Sequence, residues 1–72
     1  MGPKIINLKK DEQFITLQSL LQIGGVIPTG GMAKIYLAET PVLVNGEPEN
    51  RRGRKLYSGD EVRLPEAVFL IK

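Results

Sequence analysis

Four cations in five residues, Arg51-Arg52-Gly53-Arg54-Lys55, are the densest chemical feature of this 72-residue chain. A guanidinium donates in a rigid fork that matches the oxygens of a phosphate, and each phosphate it neutralises releases condensed counterions. The chemistry open to this run is therefore the binding of a polyanion; a solvated loop that does nothing beyond solubility is the alternative. Catalysis has far less to work with. The chain has no cysteine and no histidine, so the usual nucleophile–base pairs and zinc sites lack their side chains. Its eight carboxylates are scattered, with no spacing that singles out two of them, and such groups mostly keep a small surface soluble. Neither G-x-G-x-x-G nor G-x-x-x-x-G-K-[ST] occurs. A non-enzyme without cofactor or metal is expected.

A second candidate is Thr29-Gly30-Gly31-Met32-Ala33-Lys34. Thr29 is a good N-cap for a helix running roughly from Gly30 to Glu39. Glycines at the start of a helix leave backbone N–H groups uncovered, and the helix dipole favours an anion there. Lys34 can reach the same anion. Close packing of the helix is the competing reason for Gly30-Gly31. Asn45-Gly46 is explained by turn geometry alone. Tyr36 and Tyr57 have rings that can stack on unpaired bases, but half-buried core positions are the expectation for both.

The elements that must position these groups are legible in outline. Ile5, Ile6 and Leu8 form a β-prone run. Thr16 then precedes Leu17, Leu20 and Leu21, closed by Gly24-Gly25, which specifies a short amphipathic helix. Pro28 holds Ile27 extended, so a tight linker leads into the second helix, where Ala33 and Leu37 share a face and which Pro41 ends. Val42-Leu43-Val44-Asn45-Gly46 reads as a hairpin with a type I′ turn. A basic loop over 50–54, a short strand at Lys55-Leu56-Tyr57, a turn at Ser58-Gly59-Asp60, a strand at Glu61-Val62-Arg63-Leu64 and a final apolar strand at Val68-Phe69-Leu70-Ile71 complete the order. That last strand can pair with the one near Ile5. The expected fold class is α+β, two short helices on a small curled, mostly antiparallel sheet, in one domain spanning 1–72.

Ten basic against eight acidic residues leave a net charge of only +2, so distribution rather than total charge points to nucleic acid. No apolar run approaches the roughly 18 residues of a membrane span. The N-terminal stretch is too short for a signal peptide. A soluble, cytoplasmic monomer with no membrane partner is expected.

Thr16-Leu17-Gln18-Ser19-Leu20-Leu21, then Thr29 through Leu37, then Val42-Leu43-Val44-Asn45-Gly46, then Ser58-Gly59-Asp60-Glu61-Val62 together resemble one known pattern. It is the RNA-binding domain named after the fourth small-subunit ribosomal protein, with its α-L motif. The resemblance covers about residues 14–64. Thr29-Gly30-Gly31-Met32-Ala33-Lys34 and Glu49-Asn50-Arg51-Arg52-Gly53-Arg54-Lys55-Leu56-Tyr57 are similar to the small stand-alone bacterial members, the YaaA/YbcJ-like proteins. The resemblance implies binding of structured RNA, ribosomal RNA or a ribosome–tRNA assembly. In that family arginines commonly follow the helix-two cap and another opens helix one. Here Gly30, Gly31 and Thr16 hold those places, and Lys34 alone keeps a basic side chain on the matching part of helix two. The electrostatic weight therefore moves to the basic loop. The candidate RNA-contacting residues are Thr29, Gly30, Gly31, Lys34, Asn45, Arg51, Arg52, Arg54 and Lys55. The alternative is a protein-interaction module that uses an apolar surface of Tyr36, Ile27 and Val26, with the basic loop a bystander.

Overall fold

Thr16 decides where the first helix begins. Its backbone is extended and its Oγ1 accepts from the Ser19 N–H at 3.2 Å, satisfying one of the helix's free donors. In the computed structural model, which describes residues 2–72, the order is β1 (Lys4–Ile6), β2 (Ile15–Thr16), α1 (Leu17–Ile23), a 3-10 turn (Gly30–Met32), α2 (Ala33–Glu39), β3 (Leu43–Val44), β4 (Glu47–Pro48), β5 (Lys55–Leu56), β6 (Glu61–Arg63) and β7 (Val68–Ile71). Helix α1 buries Leu17, Leu20 and Leu21. It closes with Gly25 N–H on the Gln22 carbonyl at 3.2 Å and Val26 N–H on the Leu21 carbonyl at 2.9 Å, the paired bonds of a Schellman motif. A Cβ on Gly24 would lie 2.7 Å from the Phe69 ring, so glycine there lets the helix end settle against the sheet.

The second helix departs from its expected start. Thr29 makes no side-chain capping bond, and the first turn is 3-10 rather than α. The Met32 N–H bonds the Thr29 carbonyl at 3.1 Å, and the Ala33 N–H bonds the Gly30 carbonyl. These i→i+3 bonds satisfy donors that a capping hydroxyl would otherwise serve, which leaves the Thr29 hydroxyl without that task. The α-helix itself is Ala33–Glu39, with Ala33 and Leu37 buried as the periodicity predicts.

The larger sheet has the order β1-β7-β6-β3-β4. Its β1–β7 pairing is parallel, with Ile5 opposite Leu70, and the other pairings are antiparallel. Both ends of the chain thus meet in one sheet. Strands β2 and β5 form a separate antiparallel ladder with Ile15 opposite Leu56. Inward side chains of both helices and of β2, β3, β5, β6 and β7 share one core, in which Leu17, Leu20, Leu21, Leu56, Val62 and Phe69 are nearly solvent-free.

Two readings of exposure need correction. Ile27 is buried, and Val26 and Tyr36 pack partly buried against the core. The apolar surface expected from those three residues therefore loses Ile27 and keeps only part of Val26 and Tyr36; the Schellman turn folds Val26 and Ile27 back over α1. Tyr57, expected to be half-buried, is instead 48% exposed, since it follows the last residue of β5 and alternation places Leu56 inward.

Asn45 and Gly46 carry φ of +52° and +84°, as a type I′ turn demands. Asn45 also ties this hairpin to the next turn: its amide donates to Asp60 Oδ1 at 3.1 Å and accepts from the Glu61 N–H at 2.9 Å. Replacing Gly46 with valine puts a β-branched residue at a left-handed position. Gly46→Val is expected to cost at least about 1 kcal/mol, read as a lowered melting temperature; an unchanged melt would contradict the turn's role.

Candidate nucleic-acid interface

The basic loop is built around a carboxylate. Glu49 follows β4 and is the one buried charged residue among the described residues, 8% exposed. Its two oxygens accept five hydrogen bonds: from the Asn50 and Arg51 backbone N–H groups, both at 3.1 Å, from Arg51 Nε at 3.0 Å and Nη2 at 3.1 Å, and from Arg54 Nη1 at 2.8 Å. Charge-assisted bonds of this kind are the strong ones. The Arg51 guanidinium, followed by the Arg54 contact and the Arg51 N–H, holds the Glu49 carboxyl down at about 2 against the opposing pull of burial. Glu49 in turn raises the Arg51 pKa through its hydrogen bond and charge.

The same loop is fastened to the first helix through its backbone. The Arg54 carbonyl accepts from the Leu17 N–H at 2.8 Å, and the Arg52 carbonyl accepts from the Gln18 N–H at 2.9 Å. With Thr16 serving Ser19, the first three donors of α1 are all satisfied by the protein. The start of α1 is thus occupied by the loop, whose basic side chains differ in exposure. The Arg51 side chain is 73% exposed although paired, that of Arg54 is 32% exposed, and Arg52 is exposed with no ion pair among the described residues. Lys55 holds its Nζ 5.0 Å from the centroid of the Phe14 ring.

Helix α1 also connects the loop to the glycine turn. A Cβ on Gly30 would meet Gln18 Nε2 at 2.5 Å and Gln22 Oε1 at 3.4 Å. A Cβ on Gly31 would meet nothing nearer than Thr29 Oγ1 at 3.9 Å. The two glycines therefore have different reasons: Gly30 admits the Gln18 side chain, while Gly31 is an open stretch of backbone. Gln18 is the hinge of the surface, with its N–H on the Arg52 carbonyl and its amide at Gly30.

Of the residues singled out in the sequence, Arg51, Arg52 and Arg54 lie on one loop beside α1, Lys55 opens β5 directly after it, and Gly30 is brought to the same helix. Lys34 is exposed near the start of α2. Asn45 differs, its side-chain amide being committed to Asp60 and Glu61. Glu49, Gln18 and Gln22 were missed. Glu49 stands just outside the acid-free run, and its position at the head of Glu49-Asn50-Arg51 was the available signal. Gln18 and Gln22 are one helical turn apart, a polar i, i+4 stripe opposite the leucines.

A two-helix unit whose first helix is held by a basic loop, backed by a small mixed sheet, defines the class: an α+β domain of the α-L type. A family model described as the S4 domain matches residues 6–72, and the chain belongs to that family. It is similar to a probable ribosome maturation protein, RlbA, of Bacillus subtilis (strain 168), with 57% identity over 54 residues that cover 75% of this chain and 76% of that protein.

Two expectations follow from this geometry. Because the Glu49 carboxyl titrates near 2 in the folded chain and at its ordinary 4.5 once released, its contribution is complete above the higher value and lost as the pH falls through the lower one. Glu49→Gln is expected to lower stability at neutral pH by about 1–3 kcal/mol, the scale of hydrogen bonds to charged groups. It should also flatten the acid limb of a melting-temperature profile between about pH 5 and pH 2; an acid limb identical to wild type would exclude Glu49 as its source. Gly31→Ala, with open space around it and a better helix former in place, is expected to melt no lower than wild type, with a gain of up to about 1 kcal/mol. A lower melting temperature would show that Gly31 is packed after all.

Proposed function

We propose that this chain is a non-catalytic RNA-binding protein that docks on structured RNA through the basic loop and the start of α2. The observation that carries this is the Glu49 arrangement. Besides shaping the loop against α1, the buried carboxylate fixes two guanidiniums side by side at a partly exposed surface, a placement that suits phosphate. Pre-ordered donors lose less side-chain entropy on meeting phosphate. Arg52 and Lys34 extend the charge. Gly31 leaves backbone N–H groups approachable, while the seven-residue α2 has too few aligned peptides for a large dipole. The side chains of the loop therefore supply most of the attraction.

The target is proposed as ribosomal RNA or a ribosome–tRNA assembly. Membership in the S4 family supports RNA as the partner, and the name of the Bacillus relative supports the ribosome as its setting. Asn45, engaged within the protein, supports the interface through the hairpin rather than by contact. No helix among the described residues is long and apolar enough to cross a membrane.

The test is a salt titration of affinity for a structured ribosomal RNA fragment. Arg51→Ala combined with Arg52→Ala is expected to weaken binding and to reduce the slope of log K against log salt by roughly two units, at about 0.9 per duplex phosphate contact. Arg52→Ala alone leaves the Glu49 bonds in place and should remove about one unit. Wild-type affinity that barely responds to salt would contradict docking through phosphate contacts, and no binding of the fragment would favour the protein-interaction alternative.

A further inference from the structure

Tyr57 is where the loop's charge meets an aromatic ring. Arg51, Gly53, Arg54, Lys55 and Tyr57 line an open groove of about 530 Å³, in the size range of sites for a small-molecule-sized group. Tyr57 is 48% exposed, yet it is not loose. Its N–H donates to Asp60 Oδ2 at 2.8 Å, and its ring rests against Phe14 with centroids 5.7 Å apart and planes tilted by 50°. Phe14 already carries the Lys55 ammonium and does not line this groove. The ring available to the groove is therefore that of Tyr57. Gly53 adds a stretch of wall without a side chain, and a Cβ there would have nothing within 4 Å.

We propose that this groove seats one unpaired nucleotide of the bound RNA, its base stacked on Tyr57 and its phosphates held by Arg51 and Lys55. The inference rests on the RNA-binding reading above and adds what kind of RNA feature is recognised. A base inside a duplex has both faces covered by its neighbours, so a protein ring can stack only on a base that is bulged, looped out or terminal. Three cations around one fixed, half-exposed ring match the two parts of a nucleotide, an anionic phosphate and a flat base. A protein partner would find an aromatic ring here too, but one hemmed by two arginines and a lysine, whose charges an apolar partner surface would leave without counter-ions.

The experiment uses the full chain and two RNA hairpins with the same stem, one fully paired and one carrying a single bulged 2-aminopurine. Wild type is expected to bind the bulged hairpin about tenfold tighter, the scale of one base–aromatic stack, and to quench the 2-aminopurine fluorescence. Tyr57→Phe should keep both effects. Tyr57→Leu should lose both, with its affinity for the paired hairpin and its salt slope unchanged. Equal wild-type binding of the two hairpins with a steep salt slope, or a bulge preference that survives in Tyr57→Leu, would overturn the nucleotide seat while leaving the RNA-binding reading intact. Failure of wild type to bind either hairpin would overturn both. Should Tyr57→Leu not fold, the wild-type comparison and the fluorescence change decide the matter alone.

Discussion

The surface of this protein depends on one carboxylate. Glu49 accepts from two backbone N–H groups and two guanidiniums at once, and in doing so turns a run of like charges into a shaped loop. Its charge offsets the mutual repulsion of Arg51, Arg52, Arg54 and Lys55 and ties two of them to one point. With it, the loop backbone is placed so that its carbonyls close the start of α1. The same few residues thus settle a helix terminus and a charged surface. Burying the carboxylate is tolerable because every buried side-chain donor and acceptor among the described residues has a partner.

This economy suits a chain of 72 residues with no disulfide available to it. Small chains bury little of their surface, and each element must be held by neighbours rather than by its own length. Helices α1 and α2 have seven residues each, and strands β2 to β5 have two. None would persist alone. What secures them is reciprocal: the loop caps α1, Gly24 lets α1 lean on Phe69, β1 and β7 join the chain ends, and Asn45 links two turns through Asp60. A net charge of +2 is compatible with a strongly basic patch because four of the ten cations fall within five residues of chain and a single buried acid organises two of them.

Much of the fold was legible in the sequence because it follows from local chemistry. Thr16, the spacing of Leu17, Leu20 and Leu21, the glycines that follow, Asn45-Gly46 and the alternation through Val62 and Leu64 act within a few residues of themselves. The expected elements appear at those places, including the pairing of the first and last strands. Thr29 shows where local reasoning fails: threonine is a good cap in general, but the Gly30-Gly31 turn took the tighter 3-10 path and left its hydroxyl unused. Tyr57 shows another limit, since the sequence does not reveal which side of a two-residue strand faces the core.

The sequence by itself pointed to a class of chemistry. It has no histidine or cysteine, the side chains of the usual nucleophile–base pairs and zinc sites, and one dense basic run of the kind that suits a polyanion. It also determined the α+β order, through helix period, turn residues and β-branched runs. Only the tertiary structure decided that Glu49, just after β4, lies beneath the loop, that the loop seals α1, that Gln18 reaches Gly30, and that Tyr57 stands exposed beside the arginines. The backbone bonds that join the loop to α1 link residues more than thirty positions apart. Propensity and spacing act over one or two turns of chain, whereas a contact between distant segments exists only once the core between them has closed.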